Sequence, residues 1–183
     1  MKTEHALARA LKEMMSSQPL DSISVSALSD KCGVSRKTFY YHYHDIYDLL
    51  TEVFLDEKIP NLQNANNYDE LIDIVWKYYQ NNMAFIDATL SSAGKDLFSE
   101  FIYNIFYTTT IRFINRYDDA KKIPLSNKKS IARFYASGYG NSIVYYLSNY
   151  KNKSIHGLKN TFVFVDNKNL EISLQKAVKL QEK

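Results

Sequence analysis

Apolar residues recur along most of the chain at the spacing of one helical face. Near the start, a stripe at i, i+3, i+4 and i+7 predicts a first helix over residues 3–17. That stripe consists of Leu7, Ala10, Leu11 and Met14. The same period predicts longer helices over residues 45–65, 69–88, 95–117 and 126–150, with Pro60 expected to bend or end the first of them early. The pattern therefore predicts an all-α protein.

Between the first helix and the long ones, the spacing predicts two short helices around a tight turn. The first short helix begins at a serine, because Ser24 or Ser26 can accept hydrogen bonds from the free amides of its first turn. Ala27 and Leu28 are expected to form its buried face. Gly33 ends it, since a glycine just past a helix adopts the left-handed conformation at little cost.

The second short helix has a polar outer face. Ser35 is expected to cap it, and Phe39 and Tyr43 at i and i+4 are expected to face inward. The residues left outside or at the edges are Arg36, Lys37, Thr38, Tyr41 and His42. Cations, hydroxyls and polar aromatic rings contact phosphates and base edges, and a helix fits the major groove of DNA. The pattern is typical of a helix-turn-helix, although two short helices joined at a glycine also occur in all-α proteins that bind no DNA.

The order of residues in this stretch is similar to that of a known family. Residues 5–50 resemble the DNA-binding domain of the TetR family of transcriptional regulators. The run GVSRKTFYYHY, residues 33–43, matches the family signature nearly position for position, and Leu49 and Leu50 follow where the family opens its fourth helix. The resemblance implies phosphate contacts for Ser26, Ser35, Lys37, Tyr40 and His42. It implies base contacts for Arg36, Thr38 and Tyr41.

The resemblance also carries one departure and one finer similarity. The family often has a lysine that binds phosphate at the start of its fourth helix, and Ile46 stands there in this chain. The sequence of residues 39–50 is also similar to the sequences of the subgroup that includes the dihydroxyacetone kinase operon activator. By this resemblance, residues 1–48 form the DNA-binding domain, and residues 49–183 form a larger helical domain for ligand binding and dimerisation.

The charge distribution limits what can support DNA binding. Residues 1–50 hold six Lys or Arg and six Asp or Glu, residues 51–119 have a net charge of −6, and residues 120–183 have a net charge of +9. DNA binding therefore depends on the placement of Arg36 and Lys37 rather than on a basic domain. The lysines of the last third alternate with apolar residues, so they are interpreted as a solvated surface rather than a second nucleic-acid site.

Several classes of function find no support in the residues. One cysteine, Cys32, excludes an internal disulfide, and four histidines are too scattered to suggest a metal site. No nucleophile elbow, phosphate loop or cluster of carboxylates is present, so we expect no catalytic residue, no cofactor and no enzyme. No apolar run approaches the ~20 residues that cross a bilayer, and the amphipathic start is unlike a signal peptide. We expect a cytoplasmic protein without a membrane partner.

The long helices are rich in aromatic residues, with 15 Tyr and 10 Phe in the whole chain. Aromatic stripes usually build a core, but buried tyrosine hydroxyls need partners, so several together can line a partly polar cavity for a small ligand. The candidate ligand pocket consists of Trp76, Tyr79, Phe98, Ile102, Tyr103 and Tyr107.

The last long helix contains Gly138 and Gly140, which each cost up to ~1 kcal/mol relative to alanine. Close approach of another helix would explain this cost, and a kink or a frayed helix end is the alternative. The segment resembles the helix that forms the dimer interface in the same subgroup. The candidate interface residues are Phe134, Gly138, Ile143, Tyr146 and Leu147. Beyond residue 150 the pattern gives only a β-favouring run at 162–165 and a helical stripe over 169–181.

The leading hypothesis is a homodimeric regulator that binds a pseudo-palindromic site on double-stranded DNA. Its two recognition helices would lie ~34–36 Å apart, and an unknown effector in the larger domain would change DNA affinity. The alternative is a coregulator whose C-terminal domain binds a protein partner rather than a small molecule. The sequence identifies neither the effector nor the operator, and it does not distinguish a repressor from an activator.

Overall fold

The computed structural model describes residues 2–165 and 167–181. This part of the chain contains ten α-helices and no β-strand, which confirms the predicted all-α class. The helices are α1 (Lys2–Met15), α2 (Val25–Cys32), α3 (Arg36–His42), α4 (Ile46–Asp56), α5 (Tyr68–Asn81), α6 (Met83–Leu90), α7 (Lys95–Asn115), α8 (Leu125–Asn149), α9 (Ile155–Asn160) and α10 (Asn167–Lys179). None of these described helices is long and apolar enough to cross a membrane.

The chain forms two compact units that do not follow the sequence order. The first unit contains the chain up to Lys58 together with Tyr79–Phe101, and the second contains Ile59–Tyr78 together with the chain from Ile102 onward. Helices α5 and α7 therefore contribute residues to both units. The domain boundary predicted between residues 48 and 49 falls inside the first unit, because α4 and α6 belong to the same unit as the first three helices.

The core of the first unit is built around α1. This helix packs against α2, α4 and α6, and α2 packs against α3. Its buried stripe contains Leu7, Leu11 and Met15, whereas Met14, predicted to belong to it, is only half-buried. Met15 continues the row of residues four positions apart that lies on one helix face. Each fully buried aliphatic side chain contributes roughly 1.5–3 kcal/mol to folding.

Two of the predicted long helices are shorter in the structure; for the first, the sequence predicted an early bend or end at Pro60, and for the second it predicted continuity. Helix α4 ends at Asp56 rather than near residue 65, and a left-handed residue, Asn61 at φ 63°, follows in the next turn. The helix predicted over 69–88 is divided at Asn82, whose φ of −126° and ψ of 22° are not helical. The face of α6 turned to the core is then Phe85 and Ile86, while Met83 is exposed. The buried apolar residues after Asn82 therefore no longer continue the helical spacing of those before it.

The aromatic residues of the second unit form a stacked core. The ring of Tyr68 lies 4.3 Å from that of Tyr139 and 5.6 Å from that of Tyr135, both nearly parallel, and Phe106 stacks on Tyr139 at 5.5 Å. The Tyr68 hydroxyl is 2.8 Å from Thr110 Oγ1, so the buried phenol has a partner. Burial raises the pKa of Tyr68. In this unit, packing accounts for much of the aromatic content.

The run at 162–165 forms a turn, although its residues favour a strand. Phe162 is buried and packs 4.7 Å from the Tyr139 ring, and the Tyr139 hydroxyl donates to the Val165 carbonyl at 3.1 Å. The amide of Val165 bonds to the Phe162 carbonyl at 2.8 Å. These contacts favour the turn, since a strand needs a neighbouring strand for its backbone groups. Helix α10 follows the predicted stripe, with Leu170, Leu174, Ala177 and Val178 buried.

Candidate nucleic-acid interface

The first short helix and the corner after it are fixed by local hydrogen bonds. Ser24 caps α2, accepting from the Ala27 amide at 3.1 Å. Gly33 adopts the predicted left-handed conformation with φ 65°, and its amide bonds to the Asp30 carbonyl at 3.1 Å. The buried face of α2 is Leu28 and Ser29, so the prediction that Ala27 is buried is wrong. The corner brings the chain directly into the next helix.

Helix α3 is fixed at its start and on its inner face. Ser35 accepts a hydrogen bond from the Thr38 amide at 3.0 Å, and the two side-chain oxygens of this pair lie 2.9 Å apart. Phe39 and Tyr43 are buried, as the i and i+4 spacing predicted. Because both its cap and its inner face are fixed, α3 presents one defined surface to the solvent.

Of the eight residues proposed to contact DNA, six lie in α3, Ser35 caps that helix, and Ser26 lies in the neighbouring α2. Ser26, Ser35, Arg36 and Lys37 are exposed, and Thr38 and His42 are half-buried. Tyr41 is 85% exposed and Tyr40 is 51% exposed. Exposed large aromatic side chains cost hydration free energy that a binding partner can recover. Whether these residues contact DNA remains a prediction.

The two cations of α3 are available for a partner. Among the side chains that the structure describes, neither Arg36 nor Lys37 has a hydrogen-bond or ion-pair partner. By contrast, Lys31 of α2 lies 3.0 Å from Glu13 of α1. An unpaired guanidinium and ammonium on one helix can bind phosphate or base acceptors without breaking an internal ion pair.

His42 has neighbours that the sequence pattern did not reveal. Its Nδ1 lies 3.4 Å from Glu4 Oε1 in the first turn of α1, and its ring meets that of Tyr41 edge-on at 5.1 Å. Helical spacing could not identify Glu4, because the two residues belong to different helices. The phosphate contact proposed for His42 therefore competes with an acidic neighbour inside the unit.

The start of α4 differs from the family pattern in a way that the structure explains. Ile46 is buried, Asp45 caps the helix by accepting from the Asp48 amide at 2.8 Å, and Asp48 accepts from the His44 amide at 3.0 Å. Tyr47 donates to Asp21 at 2.6 Å, and this hydrogen bond raises the pKa of Tyr47. The start of α4 thus carries an apolar side chain and carboxylates, where the family often has a lysine that binds phosphate.

The residues proposed for a dimer interface do not share one exposed face. Phe134 is 74% exposed and Gly138 is exposed, but Ile143, Tyr146 and Leu147 are buried in the core of their own unit. The proposal is therefore corrected for these three, because their side chains have almost no surface left for a second copy. Gly140 approaches the Tyr103 backbone, since a Cβ there would lie 3.5 Å from Tyr103 Cα. This is an ordinary van der Waals distance, so packing does not require a glycine at 140, and a Cβ at Gly138 would have no neighbour within 4 Å.

The six residues proposed for a ligand pocket are divided between the units. Tyr79 and Phe98 belong to the first unit, and Trp76, Ile102, Tyr103 and Tyr107 belong to the second. Trp76, Tyr79, Phe98 and Ile102 are buried, and the half-buried rings of Tyr103 and Tyr107 stack at 6.0 Å. The Tyr79 hydroxyl donates to Asp87 at 3.1 Å. A pocket made of these six residues remains a prediction.

Cys32 behaves as a packing residue. Its Sγ lies 3.6 Å from the Ala6 carbonyl oxygen, and burial raises the pKa of its thiol. A raised pKa disfavours the reactive thiolate. No group of three or more His, Cys, Asp or Glu side chains in the described ranges is arranged to hold a metal ion.

Comparisons with known proteins identify the family of the chain and a similar fold. Residues 7–53 match the family model of bacterial regulatory proteins of the TetR family, and residues 66–162, more than half of the chain, match the model of a transcriptional regulator C-terminal region. Among solved structures, the dihydroxyacetone kinase operon activator DhaS is similar with a TM-score of 0.60 and 19% identity over 97% of both chains. At that identity the similarity shows the fold alone. No curated protein sequence matches significantly.

Together the two family models cover most of α1 to α4 and the helices from α5 to α9. This family consists of DNA-binding regulators without enzymatic activity, which confirms the prediction that the chain is not an enzyme. The chain belongs to the TetR family of bacterial transcriptional regulators.

Proposed function

We propose that the chain is a homodimeric regulator that binds a pseudo-palindromic operator through α3 of each copy and responds to an effector. The observation that carries this proposal is the exposed surface of α3, on which Arg36 and Lys37 have no partner among the described side chains. A dimer would place two such surfaces ~34–36 Å apart, one turn of DNA. Its place of action would be the cytoplasm, where bacterial DNA lies.

The roles proposed for the side chains follow their chemistry and the family resemblance. Arg36, Thr38 and Tyr41 read base edges in the major groove, where a guanidinium pairs with guanine acceptors. The phosphate contacts come from Ser26, Ser35, Lys37, Tyr40 and His42. Phosphate contacts set the register of the protein on the duplex, and base contacts set its sequence preference.

The experiment is selection of preferred sites from random duplexes, followed by titration at several salt concentrations. Arg36→Ala is expected to weaken binding to the preferred site by about 1–3 kcal/mol and to relax the preference at one base pair. Lys37→Ala is expected to weaken binding to all sequences alike, and to reduce the slope of log K against log salt by about 1.

Lys77→Ala is the matched control, because Lys77 is an exposed cation of α5 in the second unit. It should leave both the preference and the salt slope unchanged. The proposal is wrong if the wild-type protein selects no site, or if the Arg36 and Lys37 variants behave like the control.

A protein partner is the second candidate, and exposed apolar side chains of the second unit favour it. Phe164 is 92% exposed in the turn before α10, and Phe134 and Tyr145 of α8 are also exposed. Such surface is typical of contact with another polypeptide. Native mass spectrometry of the purified protein distinguishes a second copy, a different protein and a bound small molecule. The neighbour DhaS is an operon activator by name, so a reporter assay should test activation as well as repression.

A further inference from the structure

A cleft of about 580 Å³ opens in the first unit. One wall is α1, a second is the end of α4, and a third is the segment from Asn81 to Phe85 that leads into α6. Sites for small ligands in proteins commonly occupy ~300–1,000 Å³. The cleft therefore has room for a small molecule, and it shares no residue with the aromatic pocket proposed from the sequence.

One ion pair joins the walls of this cleft. Lys12 Nζ of α1 lies 2.9 and 3.1 Å from the two carboxylate oxygens of Glu57, which directly follows α4. The same ammonium lies 5.1 Å from the centre of the Phe85 ring. Lys12 thus connects three elements, and its charge is already satisfied inside the protein.

Two other charges of the cleft are not satisfied in this way. Arg9 of α1 and Asp56 of α4 both line the cleft and are exposed. Neither has a hydrogen-bond or ion-pair partner among the side chains that the structure describes. Glu13, which also lines the cleft, is paired with Lys31. One cation and one anion on different walls therefore remain for a ligand.

We propose that this cleft binds a small zwitterion of the α-amino acid type. Its carboxylate pairs with the Arg9 guanidinium, its ammonium pairs with Asp56, and its side chain lies against the exposed Met83. A ligand that is only anionic leaves Asp56 without a partner, and one that is only cationic leaves Arg9 without a partner. Charge of both signs on the walls thus selects against both alternatives.

The site also offers a route to regulation, and this part rests on the proposed function. Helix α1 packs against α2, and α2 packs against the recognition helix α3. A ligand that changes the separation of α1 and α4 therefore acts on the helix against which α2 is packed, and through α2 on α3. DNA affinity then changes to the extent that the ligand binds the two arrangements unequally.

The test measures binding to the full chain without DNA, by calorimetry and thermal shift. The probes are the twenty free amino acids, followed for each that binds by two analogues: the amide, which lacks the carboxylate, and the deaminated acid, which lacks the ammonium. We expect saturable binding of at least one amino acid. Both analogues of that amino acid should bind about fivefold to tenfold more weakly, because each loses one charged hydrogen bond. DNA affinity is measured separately, so a failure of the DNA-binding proposal does not conceal the result.

Arg9→Met and Asp56→Asn should each weaken binding of the amino acid by about fivefold to tenfold. The matched controls are Lys95→Met and Glu52→Gln, which remove exposed charges of the same unit that do not line the cleft. They should bind as the wild type does. Absence of binding by all twenty amino acids at millimolar concentration overturns the proposal. Equal binding of the analogues, or of the Arg9 and Asp56 variants, overturns it as well.

Discussion

At the scale of single residues, the recognition helix depends on a pair of hydroxyls. Ser35 Oγ accepts a hydrogen bond from the Thr38 amide and also lies 2.9 Å from Thr38 Oγ1. One of the two hydroxyls must donate to the other, so the pair keeps one hydroxyl proton for an external acceptor. Ser35 thus has a structural role as helix cap, and the pair shares a single potential donor to DNA.

This arrangement predicts different effects for the two substitutions. Ser35→Ala is expected to lower the free energy of unfolding by about 1 kcal/mol because the cap is lost, and Thr38→Val is expected to reduce DNA affinity with a much smaller change in stability. In the double variant the loss of DNA affinity should be more than additive, because each single variant keeps one hydroxyl proton for an external acceptor and the double variant keeps none. Urea unfolding and fluorescence anisotropy measure the two quantities.

Ser24→Ala serves as the control for the cap. Ser24 caps α2 in the same way, accepting from the Ala27 amide, and is not among the proposed DNA contacts. It should lower stability by about as much as Ser35→Ala while preserving DNA affinity. Strictly additive losses of affinity in the Ser35 and Thr38 cycle would contradict the shared donor.

At the scale of elements, short helices depend on contacts from outside. Helix α9 has six residues, too few to be stable alone. The Tyr146 hydroxyl accepts from the Ser154 amide at 3.0 Å and lies 3.2 Å from the Ser154 carbonyl, while Ser154 caps α9 by accepting from the Gly157 amide at 3.0 Å. Leu158 is the buried residue of α9. A residue of α8 therefore determines where α9 begins.

Gly157→Ala should destabilise the protein even though alanine favours helices. A Cβ at this position would collide with the Tyr146 hydroxyl. Because the Tyr146 side chain is buried, either this side chain or the backbone of α9 must move. The expected cost is about 1–3 kcal/mol in the free energy of unfolding. In a Tyr146→Phe background the hydroxyl is absent, and the alanine should cost much less. An equal cost in both backgrounds, measured by urea unfolding, would show that this collision is not the cause.

At the scale of the whole molecule, the helices that match the DNA-binding family model share a compact unit with a later part of the chain. Helices α1 to α4 belong to a unit that also includes Tyr79–Phe101, and the rings of Phe85, Phe98 and Phe101 lie 5.2–5.9 Å from that of Phe54 in α4. A DNA-binding segment that shares its core with a later part of the chain responds to changes in that part. The proposed dimer depends on the second unit, where α8 exposes a shallow groove lined by Phe134, Ser137 and Gly138.

The dimer proposal predicts that a large charged side chain in this groove prevents association. Gly138→Arg should give a monomer by sedimentation velocity, with a circular dichroism spectrum like that of the wild type, because a Cβ there meets no atom within 4 Å. Gln80→Arg is the control, since Gln80 is an exposed residue of α5 in the first unit and does not line the groove. A Gly138 variant that remains dimeric would place the interface elsewhere.

The sequence by itself determined the recognition helix, whose start, corner and inward residues are all local. Ser35 and Thr38 are three positions apart and Phe39 and Tyr43 are four apart, so helical spacing alone defines their relation. The α-helical class followed for the same reason. Helix α4 ended at Asp56, where Glu57 is extended with φ −66° and ψ 128°, before the Pro60 that was predicted to end it, and the helix predicted over 69–88 was divided at Asn82.

Only the tertiary structure decided which apolar and charged residues are available for function. Ile143 and Phe134 stand on the same helix, yet one is buried and the other exposed, because neighbouring elements cover only part of α8. Lys12 and Glu57 pair across 45 positions, which no periodic pattern can reveal. Burial and long-range pairing depend on how elements pack, and packing follows from the whole set of side chains rather than from any local stretch.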